Sequence, residues 1–134
     1  MTDRTLDKYL TRAGPVAENF SDGEQLDDFG CFGWLRGSHE HAASVELRKK
    51  NGQILAIPYA SIEAMEFDPE DGITLNALGK SIRIQGRNLN AETQLQVRLF
   101  NGLARRRIPW LQECSRAEAL EAPKGQTVIE CIRW

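Results

Sequence analysis

Two histidines stand two residues apart in His39-Glu40-His41. On an extended strand, positions i and i+2 share a face, so both imidazoles could reach one ion. A site of that kind needs a third ligand and usually a fourth. The chain has no other histidine, so a carboxylate such as Glu46 would have to serve. A metal-dependent enzyme at His39 and His41 is one reading. An exposed loop after Gly37-Ser38 is the plainer one. Arginine is the second chemistry-bearing type. Residues 80–107 hold Lys80, Arg83, Arg87, Arg98, Arg105, Arg106 and Arg107 against one acid, Glu92. Guanidinium groups clamp phosphate and carboxylate in bidentate fashion. Arg83, Arg87, Arg98, Arg105, Arg106 and Arg107 are therefore the candidate anion-binding residues, for nucleic acid or a lipid headgroup. Arg105, Arg106 and Arg107 would equally offset the dipole at a helix end, an ordinary stabilising role.

Patterns that prepare a nucleophile or cradle a phosphate are missing. There is no Gly-x-Ser-x-Gly, no P-loop and no dinucleotide glycine fingerprint. Gly30, Gly33 and Gly37 are spaced as packing relief around Phe32 and Trp34. No residue is assigned a catalytic role and no cofactor is expected. The three cysteines, Cys31, Cys114 and Cys131, are an odd number with no Cys-x-x-Cys spacing. They read as small buried apolar side chains, unpaired in a reducing cytoplasm.

The whole chain has 134 residues, 41% of them apolar and 27% charged, with a net charge of −2. That balance fits one ordinary folded domain and excludes a collagen-like or wholly disordered chain. No apolar run approaches the roughly 20 residues of a membrane-spanning helix. No secretory leader is expected, because Asp3, Arg4 and Asp7 interrupt the start. The near-neutral total conceals segregation. Residues 1–40 carry eight acids against four bases, and residues 61–71 add five acids with no base. A slightly acidic whole argues against a dedicated nucleic-acid protein, whose affinity rests on neutralising phosphates.

The elements that would position these residues follow from pattern. Leu6, Tyr9, Leu10 and Ala13 predict a helix over Asp3–Ala13, and Glu18–Asp28 reads as a polar linker. A strand is expected over Phe29–Arg36, with Phe32 and Trp34 on one face. Ser44–Lys49 and Gln53–Pro58 form a hairpin. A three-residue loop, Lys50-Asn51-Gly52, pairs Leu47 with Leu55 and Val45 with Ile57, with Gly52 left-handed. Pro58 marks a strand end or corner. Ile62–Phe67 turns through Asp68–Gly72 into Ile73–Leu78, pairing Phe67 with Ile73 and Met65 with Leu75. A Gly79-Lys80 turn then pairs Leu75 with Ile84 and Ala77 with Ile82. Asn90 caps a helix over Ala91–Arg107, whose stripe is Leu95, Leu99 and Leu103. Gly102 weakens that helix by up to about 1 kcal/mol relative to Ala. Ser115–Ala122 suggests another short helix, and Gln126–Ile132 a last strand of undetermined register. Val128, Ile132 and Trp134 are candidate interface residues, if that strand is an exposed edge. Trp110 and Trp134 otherwise read as packing residues.

The fold class is thus α+β and mainly antiparallel β: a meandering sheet or partly open small barrel packed by one C-terminal helix. Three segments are expected: 1–28, a helix and acidic linker; 29–108, the β domain; and 109–134, a C-terminal extension. The run Gln53–Glu63, with Ile57-Pro58-Tyr59 followed by two small residues and Ile62, resembles an element of bacterial pleckstrin-homology-like and GRAM-like domains. The resemblance covers residues 29–108 and implies a lipid- or protein-binding module without catalysis. It transfers no binding residues. The leading expectation is a non-catalytic β domain that binds another protein or a second copy of itself. The alternatives are an anion-binding domain through residues 80–107, touching nucleic acid or a membrane surface, and the metal site at His39 and His41.

Overall fold

The computed structural model describes residues 26–37 and 41–134. The expected helix over Asp3–Ala13, most of the linker and His39 lie outside the described residues. The chain divides into two units. Of the described residues, one holds 26–27 with 35–37, the other 28–34 with 41–134. In the first, Arg36 Nε lies 3.2 Å from the Asp27 carboxylate. The second carries the sheets described below.

The described elements, in order, are β1 (Leu26–Asp28), β2 (Gly33–Leu35), β3 (Ser44–Arg48), β4 (Ile54–Pro58), β5 (Ile62–Asp68), β6 (Gly72–Ala77), β7 (Lys80–Arg87), β8 (Glu92–Gln94) and β9 (Val97–Arg98). They continue with α1 (Leu99–Ala104), β10 (Trp110–Gln112), α2 (Arg116–Glu121) and β11 (Val128–Arg133). Among the described residues the fold is mostly antiparallel β with two short helices, and no barrel closes. No described helix is long and apolar enough to cross a membrane.

One sheet has the order β10-β3-β4, with β10 parallel to β3. Leu47 pairs with Leu55 and Val45 with Ile57, as the three-residue loop requires. Gly52 takes φ +95°, and its N–H donates to the Lys49 carbonyl at 3.0 Å. After Pro58 one turn of 3-10 helix, Tyr59–Ser61, turns the chain into the second sheet, of order β11-β7-β6-β5. There Phe67 pairs with Ile73 and Met65 with Leu75. Alternation on β6 and β7 buries Ile73, Leu75, Ala77, Ile82 and Ile84. These meet Val45, Leu47, Ile57, Phe32, Leu99, Leu103, Ile108, Leu111, Ile129 and Ile132 in one core. Leu55, Met65 and Phe67 pack at its margin.

Several expectations need correction. The β6–β7 turn is Leu78-Gly79, not Gly79-Lys80, and pairs Leu75 with Ile82 and Ile73 with Ile84. Leu78 and Gly79 both take positive φ, +56° and +73°. That is the two-residue turn whose twist matches the flanking strands. Its advantage outweighs the left-handed strain of an exposed Leu78. The helix expected over Ala91–Arg107 shrinks to Leu99–Ala104, with Arg98 rather than Asn90 at its N-cap. Residues 92–98 instead form the short β8–β9 hairpin, where Gln96 takes φ +66° and donates its N–H to Glu92 Oε2 at 2.7 Å. Leu95 leaves the apolar stripe and is exposed, while Leu99 and Leu103 stay buried. Gly102 is a packing requirement, since a Cβ there would stand 2.5 Å from the Trp34 ring and 2.8 Å from Ile108. The strand expected over Phe29–Arg36 is shorter, because Phe29 folds back to hydrogen-bond Phe32 at 2.9 Å. The end of the presumed linker, Leu26–Asp28, is extended as β1.

The cysteines are the largest correction. Cys31 and Cys114 form a disulfide across 83 residues of sequence, with Cα atoms 6.2 Å apart, and among the described residues Cys131 is the free thiol. The bonded pair sits where three backbone segments meet. Gln112 N donates to the Cys31 carbonyl and Cys114 N to the Ile129 carbonyl, both at 2.8 Å. No local spacing signals such a bond, because tertiary pairing alone brings residues 31 and 114 together.

Candidate interaction surface

The C-terminal segment is part of the sheets. β11 lies against β7, with a bulge between Ile129 and Cys131. The bulge exchanges the inward and outward sets midway, so Ile129 and Ile132 both point to the core. A strand with apolar residues on both parities had no assignable register for this reason. Val128 and Ile132 are 1% exposed. The expectation that they form an outer interface is therefore overturned: they are consumed by the chain's own core. Trp134 is half-buried and stacks under Lys49 Nζ, 4.1 Å from the ring centroid. Gly86 faces β11 so closely that a Cβ would stand 1.9 Å from the Val128 carbonyl oxygen.

The six candidate arginines occupy three settings. Arg83 and Arg87 lie on β7. Arg83 stands opposite Thr74 and Arg133, and its Nε is buried without a hydrogen-bond partner. Arg87 donates to the Ala119 carbonyl and lies 3.5 Å from Glu130. Arg98 caps α1 and donates to the Asn90 carbonyl at 3.3 Å. Arg105, Arg106 and Arg107 follow α1. Arg105 is its C-cap, Arg106 takes φ +58° with its guanidinium 6.0 Å from the Tyr59 ring, and Arg107 is half-buried. Of the histidines, His41 is exposed. Among the described residues no three of His, Cys, Asp and Glu come together as a metal-binding set.

Glu113 and Tyr59 are among the buried polar groups to which the sequence reading gave no role. Glu113 is 8% exposed. Its carboxylate accepts the Lys50 N–H at 2.8 Å and the Ile132 N–H at 2.6 Å, so one acid ties the β3–β4 turn to β11. Tyr59 is buried, and its hydroxyl donates to the Ile108 carbonyl at 2.7 Å. Burial holds its pKa above the usual phenol range, against smaller opposing effects of that hydrogen bond and of Arg106. Nothing in their local spacing marks either residue, beyond Tyr59 following a corner proline.

Among the described residues β4 is a terminal strand of its sheet, at the end opposite β10. The Lys49–Gln53 and Tyr59–Ala43 hydrogen bonds set the ladder's parity. The backbone groups of Ile54, Ala56 and Pro58 therefore point away from β3. Pro58 is tolerated there because its missing N–H faces no described partner strand. β4 bears no charge, and its Ile54 side chain is 59% exposed. β5, a terminal strand of the four-stranded sheet, carries exposed Glu63, Glu66 and Asp68, the usual guards against edge pairing. Beside Ile54 on the outer face stands Arg48, 3.0 Å from Glu46 and 4.9 Å over the Trp110 ring. Comparisons of the chain with protein-family models, curated proteins and solved structures find no match.

Proposed function

We propose that this is a non-catalytic β domain that associates with a second copy of itself through the outer edge of β4. The carrying observation is a contrast between two terminal strands of the described sheets: β5 is guarded by carboxylates, whereas β4 is uncharged and apolar. Antiparallel pairing about a two-fold axis at Ala56 would join the Ala56 N–H to the Ala56 carbonyl of the second copy, and reciprocally. It would also join the Ile54 N–H to the Pro58 carbonyl of the second copy and set the exposed Ile54 side chain beside that proline. Light scattering should give a dimer. Ala56→Pro removes an outward N–H without touching the β3 ladder, so it should give a folded monomer with the wild-type circular dichroism spectrum, which loses only the stability that dimerisation adds. A wild-type monomer at every concentration tested would end the proposal.

The pleckstrin-homology-like assignment belongs to the same reading. A β meander followed by a helix, sharing a core with a second sheet, supports it. The shortness of α1 and the placement of β10 and β11 after it weigh against it. A cytoplasmic location would require the Cys31–Cys114 bond to form in a reducing medium. Alkylation of thiols in intact cells decides this: reduced cysteines fit the cytoplasm, and a bonded pair fits an oxidising compartment.

A further inference from the structure

Helix α2 is unusual in burying no residue in its own chain. A six-residue helix is marginal alone, and most helices are held by packing an apolar face. This one is held by its ends and flank. Ser115 and Glu118 form a reciprocal capping box, with N···O distances of 3.1 and 2.7 Å, and Arg87 donates to the Ala119 carbonyl. The disulfide at Cys114 anchors the residue before the cap. The apolar side chain of Leu120 is left 78% exposed. Leu120 and Ala119 line a groove of about 520 Å³ together with Lys50, Arg87, Cys114, Ser115, Arg116 and Glu130. Its charges are three cations and one carboxylate. Glu130 is already engaged by Arg87 at 3.5 Å. Lys50 and Arg116 make no side-chain ion pair among the described residues.

We propose that this groove is a docking site for an acidic-aliphatic segment of a partner protein. Leu120 would receive an aliphatic side chain, while Lys50 and Arg116 take flanking carboxylates. Charge complementarity selects the class of occupant: the lining has a surplus of positive charge beside one apolar patch. The groove is open to solvent, which suits a chain segment better than a small molecule that must be enclosed. It involves neither Ile54, Ala56 nor Pro58, so its failure and that of edge pairing at β4 are separable.

The test is fluorescence anisotropy of the full chain with a labelled octapeptide of alternating Glu and Leu, in low and high salt. The controls are a Lys/Leu octapeptide, a Glu/Ser octapeptide and anionic phosphatidylserine vesicles. The proposal expects salt-sensitive binding of the Glu/Leu peptide alone. It expects at least tenfold weakening in Lys50→Ala/Arg116→Ala and in Leu120→Ser, and no change in Arg98→Ala. Circular dichroism of each variant checks that the fold is retained. Leu120 and both cations are surface residues, so these variants should fold. No binding, equal binding of the Lys/Leu peptide, or unchanged affinity in the folded variants would overturn it. Vesicle binding that persists where peptide binding is absent would overturn it in favour of a membrane surface.

Discussion

Replacing Cys31 and Cys114 by serine removes the one covalent tie between the Phe29–Trp34 segment and the β10–α2 connection among the described residues. The bond closes a loop across 83 residues. In the chain-entropy treatment a loop of that length restricts the unfolded chain by about 4.5 kcal/mol. Domains of this size are commonly stable by only about 5–15 kcal/mol, so the loss is a large share. The serines themselves add little. Cys31 is 2% exposed, but its Sγ already accepts the Ile129 N–H at 3.5 Å, so a hydroxyl there finds a partner. A change of this size corresponds to roughly 10–20 °C in melting temperature. Calorimetry, with and without a dithiol reductant, reads it directly. Reduced wild type and the double variant should fall together, whereas Cys131→Ser should leave the transition unchanged. Non-reducing peptide mapping must show Cys31 joined to Cys114. A free pair, or a melting temperature indifferent to reductant, would refute the reasoning.

Gly86→Ala should loosen β11, because its Cβ meets backbone, not a side chain that can swing away. We expect a cost of about 1–3 kcal/mol or more and faster amide exchange over Val128–Arg133. Glu113→Gln sets an amide NH2 group against one of two backbone N–H donors. It should cost about 1–3 kcal/mol in urea titration, and a change within error would contradict the bridging role. Tyr59→Phe leaves the Ile108 carbonyl without its donor and should cost about 1 kcal/mol at neutral pH. The folded pKa of Tyr59 is raised, so its contribution is fully present below the unfolded phenol value of about 10 and is lost as pH climbs beyond it. Wild type should therefore lose stability above about pH 10 more steeply than the Phe variant. Parallel alkaline profiles would contradict this.

Much of the β architecture was legible because side-chain parity is a local property. Gly52, Gly72 and Pro58 announce their turns, and alternation names Val45, Leu47, Ile57, Ile73, Leu75, Ala77, Ile82 and Ile84 as inward. The β6–β7 register was misread by two residues, yet each of those side chains kept its face, since a shift of two preserves parity. The short helix expected from Ser115 onward also forms, and its capping box of Ser115 and Glu118 is as local as the spacing, joining residues only three apart. Leu95, Leu99 and Leu103 were a weaker guide. Helical spacing records which residues are apolar, but only the folded chain decided that Leu95 faces water while Leu99 and Leu103 enter the core. The same holds for the inward turn of Ile132 beyond the β11 bulge, the burial of Glu113, and the terminal place of β4 among the described strands. It holds most for Cys31 and Cys114, whose meeting depends on Phe32 bridging to Leu111 and on β11 docking at β7. Such contacts are selected by the closure of the whole core, a long-range balance that no window of sequence contains.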